Sequence, residues 1–250
     1  MIGGFTGFWS KPASASEDKF VDGVKAGLDF YNGMNVPAVT EINDGRFLLA
    51  GWITMAGWGG ALTIHEMIQS PEGRIGTKWM EEIIPATQKE RSLSIEIKET
   101  STFATGSSSF LLTFDVEPGT DLNGKMAALL LGANAEDQAC EVQISPSVKK
   151  AQYGNGQTRN FSGAEKSLRE GGSTNAARNY AIENMAGTDK PFKVRMIVKY
   201  ENKFGGSLID TEIAGQRTMI VFRPNLKVEK LLLRSEKTGI KNVRISALKK

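Results

Sequence analysis

Short apolar runs return about every ten residues along this chain, each closed by a glycine-bearing turn, and no helical period sustains itself between them. That rhythm is the strongest constraint on the fold. A chain of many short strands must pair them in sheets and bury one face of each sheet. Glycine supplies 27 of the 250 residues and proline only 8, a balance that suits tight turns better than linkers. The expected class is all-β.

The first strands can be placed from their turns. Asn43-Asp44-Gly45 is a hairpin signal between runs at 36–42 and 46–53. Further runs at 61–69 and 74–80 follow Gly57-Trp58-Gly59-Gly60 and Pro71-Glu72-Gly73. Residues from about 28 to 84 therefore read as a meander of four short antiparallel strands, the size of one propeller blade. Pro85 and the polar stretch after it suggest a boundary, placing one unit at 1–87 and a second at 88–250.

The second unit alternates more cleanly. Strands are expected at 92–99, 109–116, 125–131, 140–144, 192–200, 207–213, 218–222, 227–233 and 239–248, the pattern of a jelly-roll-like β-sandwich. Residues 147–188 are polar and rich in Gly, Asn and Ser; they read as a long excursion with one short helix near 176–185. The last strand, flanked by lysines, has the look of a protected sheet edge.

Composition then removes whole classes of chemistry. His65 and Cys140 are the single histidine and cysteine, so an intrachain disulfide, a structural zinc site and any two-imidazole centre are excluded. No metal or other cofactor is expected. Charges nearly cancel, 31 basic against 28 acidic, and no basic stripe is interleaved with aromatics, so nucleic acid is not an expected partner. No run of about 18 apolar residues offers a membrane span. His65 and Glu66 are neighbours on a strand and must point to opposite faces, so they cannot share one ion or one proton relay. The tripeptide His65-Glu66-Met67 lacks the second histidine of a zincin, and no G-x-S-x-G elbow accompanies it.

The aromatics are more informative. Phe30, Tyr31, Trp52, Trp58 and Trp79 cluster within 50 residues, alongside Asp29, Asn32 and Glu66. Flat rings stack on the C–H faces of sugars while carboxylates and amides hold hydroxyls, so the cluster suits carbohydrate. The alternative is that the rings fill a core.

Three stretches carry a family resemblance: Gly27-Leu28-Asp29-Phe30-Tyr31-Asn32-Gly33-Met34, Asn43-Asp44-Gly45-Arg46-Phe47-Leu48-Leu49-Ala50-Gly51-Trp52 and Trp58-Gly59-Gly60-Ala61-Leu62-Thr63-Ile64-His65-Glu66-Met67. Together they resemble glycoside hydrolase family 32, the invertases, levanases and inulinases. The resemblance covers residues 20–85 by motif and 90–248 by architecture. It implies the end of a five-bladed propeller followed by a C-terminal β-sandwich. It also implies a fructan or sucrose-like carbohydrate as partner, and an extracellular or periplasmic setting. By this resemblance Tyr31 and Trp52 match aromatic positions that line the family's sugar pocket, and Asp29 is a neighbour able to hydrogen-bond a fructosyl hydroxyl. His65 stands where the family has arginine. The family's three catalytic carboxylates sit in N-D-P-N-G, R-D-P and E-C motifs, and none of these occurs here. No catalytic role is therefore carried over. The chain reads as the last part of such a protein, inactive alone and completed by an N-terminal propeller segment. Two rivals remain: a non-catalytic carbohydrate-binding or structural β-sandwich module, and a protein–protein adaptor built on the Trp58 loop and the 147–188 excursion.

Overall fold

The computed structural model describes residues 2–3, 7–8, 34–56, 59–69, 75–133, 139–154, 181–182 and 185–249. Among them the chain is all-β, with antiparallel pairing throughout and a single 3-10 turn at Glu81–Ile83. Two two-residue strands, β1 (Ile2–Gly3) and β2 (Gly7–Phe8), pair with each other. The hairpin meander follows as β3 (Asn35–Glu41), β4 (Phe47–Ala56), β5 (Gly59–Gln69) and β6 (Ile75–Lys78), hydrogen-bonded in that order. Its first turn is the one the sequence announced. Gly45 adopts φ +76°, a conformation open to glycine, and the Ile42 amide donates to the Arg46 carbonyl at 2.9 Å.

The remaining strands are β7 (Arg91–Ile97), β8 (Thr100–Ala104), β9 (Phe110–Glu117), β10 (Lys125–Leu131), β11 (Ala139–Ser145) and β12 (Lys150–Gly154). They continue as β13 (Ala181–Ile182), β14 (Phe192–Glu201), β15 (Gly206–Ile213), β16 (Arg217–Pro224), β17 (Lys230–Glu236) and β18 (Gly239–Ala247). Two six-stranded sheets result, ordered β13-β12-β11-β10-β17-β8 and β16-β15-β14-β9-β18-β7. Alternation explains why they face each other. On β9, Phe110, Leu112, Phe114 and Val116 are buried and the residues between them are not. Leu130, Val142, Ile144 and Leu231 come from the other sheet to complete one shared core. Tyr153 ties the layers together: fully buried, its hydroxyl donates to the Met219 carbonyl at 2.8 Å and lies 2.9 Å from the Thr211 hydroxyl. Cys140 is a buried free thiol, and burial pushes its pKa up, which makes it unreactive.

Three sequence expectations need correction. The last strand is not an edge: β18 lies between β9 and β7, and the edges of that sheet are β16 and β7. The excursion at 147–188 is interrupted by β12, which carries buried Ala151 and Tyr153 into the core. The short helix expected near 176–185 is not found where the chain is described, since Ala181–Ile182 pairs with β12 as a strand. A further strand, β8, follows β7 directly yet belongs to the opposite sheet.

The meander stacks on the outer face of the second sheet. Leu49, Ile53 and Met55 of β4 pack with Ile220 and Phe222 of β16 in a second, smaller core. Gly76 permits the closest approach. A Cβ there would lie 2.3 Å from the Gln216 carbonyl oxygen, and that same oxygen accepts the Thr77 amide at 3.0 Å.

Candidate functional site

Two polar features converge where the meander meets the sandwich. Strand alternation sends Ala61, Thr63, His65 and Met67 of β5 toward β16 and leaves Leu62, Ile64 and Glu66 on the opposite face. The expected divergence of His65 and Glu66 is what the structure shows. Glu66 pairs with Lys78 at 2.9 Å and with Arg46 at 3.6 Å on the meander's outer face.

His65, 1% exposed, is held at both ring nitrogens. Its Nε2 lies 2.8 Å from Asp210 Oδ2, and a carboxylate can only accept, so Nε2 carries the hydrogen. Its Nδ1 lies 2.9 Å from the Thr218 hydroxyl, which in turn is 2.7 Å from the Thr77 hydroxyl. Asp210 accepts a second bond, from Trp79 Nε1 at 3.0 Å, while the Trp79 amide donates to Glu212 Oε2 at 2.7 Å. Arg195 completes the chain of contacts. Its Nε donates to Glu212 Oε1 at 2.8 Å, its Nη2 pairs with Glu81 at 2.6 Å, and its guanidinium lies 4.8 Å from the Trp79 ring centroid. The Arg195 bond holds the Glu81 carboxyl below its ordinary range.

This network is a latch. It connects β5, β6 and the turn after β6 to β14, β15 and β16. Among the groups it pairs, His65, Thr77, Thr218 and Glu212 are buried, where a polar atom without a hydrogen bond is costly. Asp210 and Glu212 are the two acids at the centre of the latch, and sequence reasoning passed over them along with Thr77, Glu81, Arg195 and Thr218. Their signal was present: two acids at i and i+2 in a strand whose alternate residues, Ile209 and Ile213, are core. Nothing local says which strand will lie opposite them. Trp79, grouped at first with the sugar-gripping rings, is 4% exposed and belongs to this interface.

Of the three expected sugar-pocket residues, only Trp52 is placed; Asp29 and Tyr31 lie outside the described residues, as does Trp58. Trp52 is on β4 between Asn35 of β3 and Leu62 of β5 in the register, on the meander face turned away from the sandwich. The indole is half-buried, its Nε1 is shielded from solvent without a hydrogen-bond partner, and Leu62 beside it is 73% exposed. Among the described residues there is no group of three or more His, Cys, Asp and Glu side chains that could hold a metal ion, and no helix long and apolar enough to cross a membrane.

An antiparallel meander docked on a two-layer β-sandwich defines the class of fold. Within that class the chain is similar to several solved structures. These include exo-inulinase from Aspergillus awamori, at 12% identity and a TM-score of 0.58 over 94% of this chain and 48% of that one. They also include β-fructofuranosidase from Schwanniomyces occidentalis complexed with fructosyl-erythritol, at 10% identity and 0.59 over 95% and 50%. A glycoside hydrolase family 32 structure from Bifidobacterium adolescentis matches at 10% and 0.51 over 86% and 31%. The chain spans half or less of the length of these structures. No protein-family model and no curated protein matches the sequence. At such identities the likeness is one of fold, and the all-β sandwich is the part of it that the sequence resemblance implied.

Proposed function

We propose that this chain is the C-terminal part of a glycoside-hydrolase-like protein acting on fructose-containing oligo- or polysaccharides, with the catalytic carboxylates outside it. The observation that carries this is the coincidence of two independent signals. Motifs at 27–67 resemble the family, and the fold over nearly the whole chain is shared with an inulinase and a fructofuranosidase. In this view the meander is a propeller blade, its sugar-facing side marked by Trp52 with Asp29 and Tyr31 as companions, and an N-terminal propeller segment is its partner. Retaining hydrolysis needs a nucleophile and an acid/base carboxyl about 5–5.5 Å apart and open to substrate. Asp210 and Glu212 do not meet that need, because both are committed to the latch. The purified chain is expected to leave sucrose, inulin and levan intact and to support hydrolysis only when joined to a segment carrying the missing carboxylates. Release of fructose by the chain alone would overturn the assignment of those carboxylates elsewhere.

A second reading is a non-catalytic carbohydrate-binding or structural β-sandwich module. The latch favours it, since it fastens the meander to the sandwich and commits Asp210 and Glu212, leaving no open carboxyl pair in the latch among the described residues. Calorimetry would then show sugar binding that is lost in Trp52→Ala, without any hydrolysis in any assembly.

A further inference from the structure

One rim of the sandwich is built from β7 and β8, each an edge strand and one in each sheet. They follow one another through residues 98–99 and are tied at their far ends, where Arg91 Nη2 donates to the Ala104 carbonyl at 2.7 Å. An edge strand carries unpaired N–H and C=O groups, and native chains blunt such edges with proline, charge or brevity. The other edges of the three large sheets are blunted in this way. β3 contains Pro37, β16 ends in Pro224, β13 has two residues and β6 has four. β7 has seven residues and β8 five, neither with a proline, and β8 carries no charge. A bulge at Leu93, where Val243 pairs with Ser94 and Arg244 with Ser92, twists β7 but removes no amide. Ile95, in the middle of this edge, is 78% exposed, more than any other large apolar side chain among the described residues.

The sequence around β7 carries its own complement. An antiparallel pair of copies related by a two-fold axis at Ser94 sets Leu93 against Ile95, Ser92 against Glu96 and Arg91 against Ile97. Beyond the strand it sets Glu90 against Lys98 and Lys89 against Glu99. Apolar meets apolar at the exposed centre, both flanks join opposite charges, and no like charges face each other. Neighbouring registers lose this. An axis at Leu93 sets Glu90 against Glu96, and one at Ile95 sets Glu90 against Thr100 and Lys89 against Ser101.

We propose that β7 pairs antiparallel with β7 of a second copy of this chain about a two-fold axis at Ser94, joining two six-stranded sheets into one. The occupant of the edge is a second copy because the complement lies in the chain itself. Such a pairing uses the same edge on both sides, so assembly through β7 stops at two chains. A specific interface buries about 1,200–2,000 Å², more than one strand pair supplies, so the dimer is expected to depend on concentration. The proposal rests on the edge and is independent of the carbohydrate reading.

The test is sedimentation velocity of the full chain from about 1 to 100 μM, with variants compared over the same series. Wild type is expected to pass from monomer to dimer. Ile95→Lys changes an exposed side chain and is expected to weaken the dimer about tenfold or more with its thermal unfolding unchanged. Glu99→Lys meets Lys89 of the other copy and is expected to weaken it too, and adding Lys89→Glu to Glu99→Lys is expected to restore it. Ser94→Cys reads the register directly. Directly opposed residues of an antiparallel pair have Cα atoms about 4.5–5.5 Å apart, within disulfide reach, and buried Cys140 does not compete. Mild oxidation is expected to link Ser94→Cys chains in pairs and to leave Lys89→Cys chains unlinked, since the two copies of that position lie roughly 30 Å apart along the ladder. A monomer throughout the series, a dimer indifferent to Ile95→Lys, a double charge swap that fails to restore, or equal cross-linking at positions 94 and 89 each overturns the proposal.

Discussion

His65 and Glu141 show how one chain handles buried titratable side chains in two ways. His65 is paired at both nitrogens, so its burial is compensated. Glu141 is not, and burial raises its pKa to about 7 from the ordinary 4.5. The sign follows from linkage. A carboxyl whose folded-state pKa is raised resists ionisation that the unfolded chain accepts, so stability is full below about pH 4.5 and falls as pH rises toward 7. Glu141→Gln is expected to remove this slope, gaining on the order of 2 kcal/mol at pH 8 and nothing at pH 4, as read by urea unfolding at the two pH values. Trp79→Phe keeps the buried ring but removes the donor to Asp210. It is expected to cost about 1–2 kcal/mol in the same assay.

At the level of elements, the docking of the meander depends on one glycine and one set of hydrogen bonds. Gly76→Ala places a methyl against the Gln216 carbonyl, a backbone atom that cannot swing aside. The expected cost is about 1–3 kcal/mol, with loss of protection at the Thr77 amide in hydrogen exchange. A double-mutant cycle of His65→Ala and Asp210→Ala is expected to show a coupling of about 1 kcal/mol or more, because removing either side chain costs the other this hydrogen bond at a buried ring. Additive effects would mean that the latch contributes nothing as a unit. Much of this level was legible in sequence. The four meander strands and nine of the twelve sandwich strands, all but β8, β12 and β13, stand close to where turns and alternation put them. The misses have physical causes: β8 is too short to show a period of its own, and β12 hides in a polar neighbourhood because only two of its residues, Ala151 and Tyr153, join the apolar core.

At the scale of the molecule, three sheets are stacked with two cores between them, and the middle sheet is apolar on both sides near β16. Met219 and Val221 face one core while Ile220 and Phe222 face the other. Removing residues 1–87 uncovers Ile220 and Phe222 on an edge strand, a combination that favours association. The shortened chain is expected to form oligomers in light scattering that the full chain does not form. A monodisperse, monomeric sandwich at the same concentration would show that the meander is dispensable to it.

Most strand positions, the face their residues take and the turn at Gly45 were settled by the sequence itself, because alternation and turn chemistry are local. The strand carrying Trp52 was legible too, whereas its half-buried state is a finding of the structure. Tertiary structure alone decided which strands are neighbours, that β18 is interior, and that His65 meets an acid 145 positions away. The reason is that a strand's own residues specify which face must be covered, whereas the partner that covers it is chosen by the packing of the whole chain.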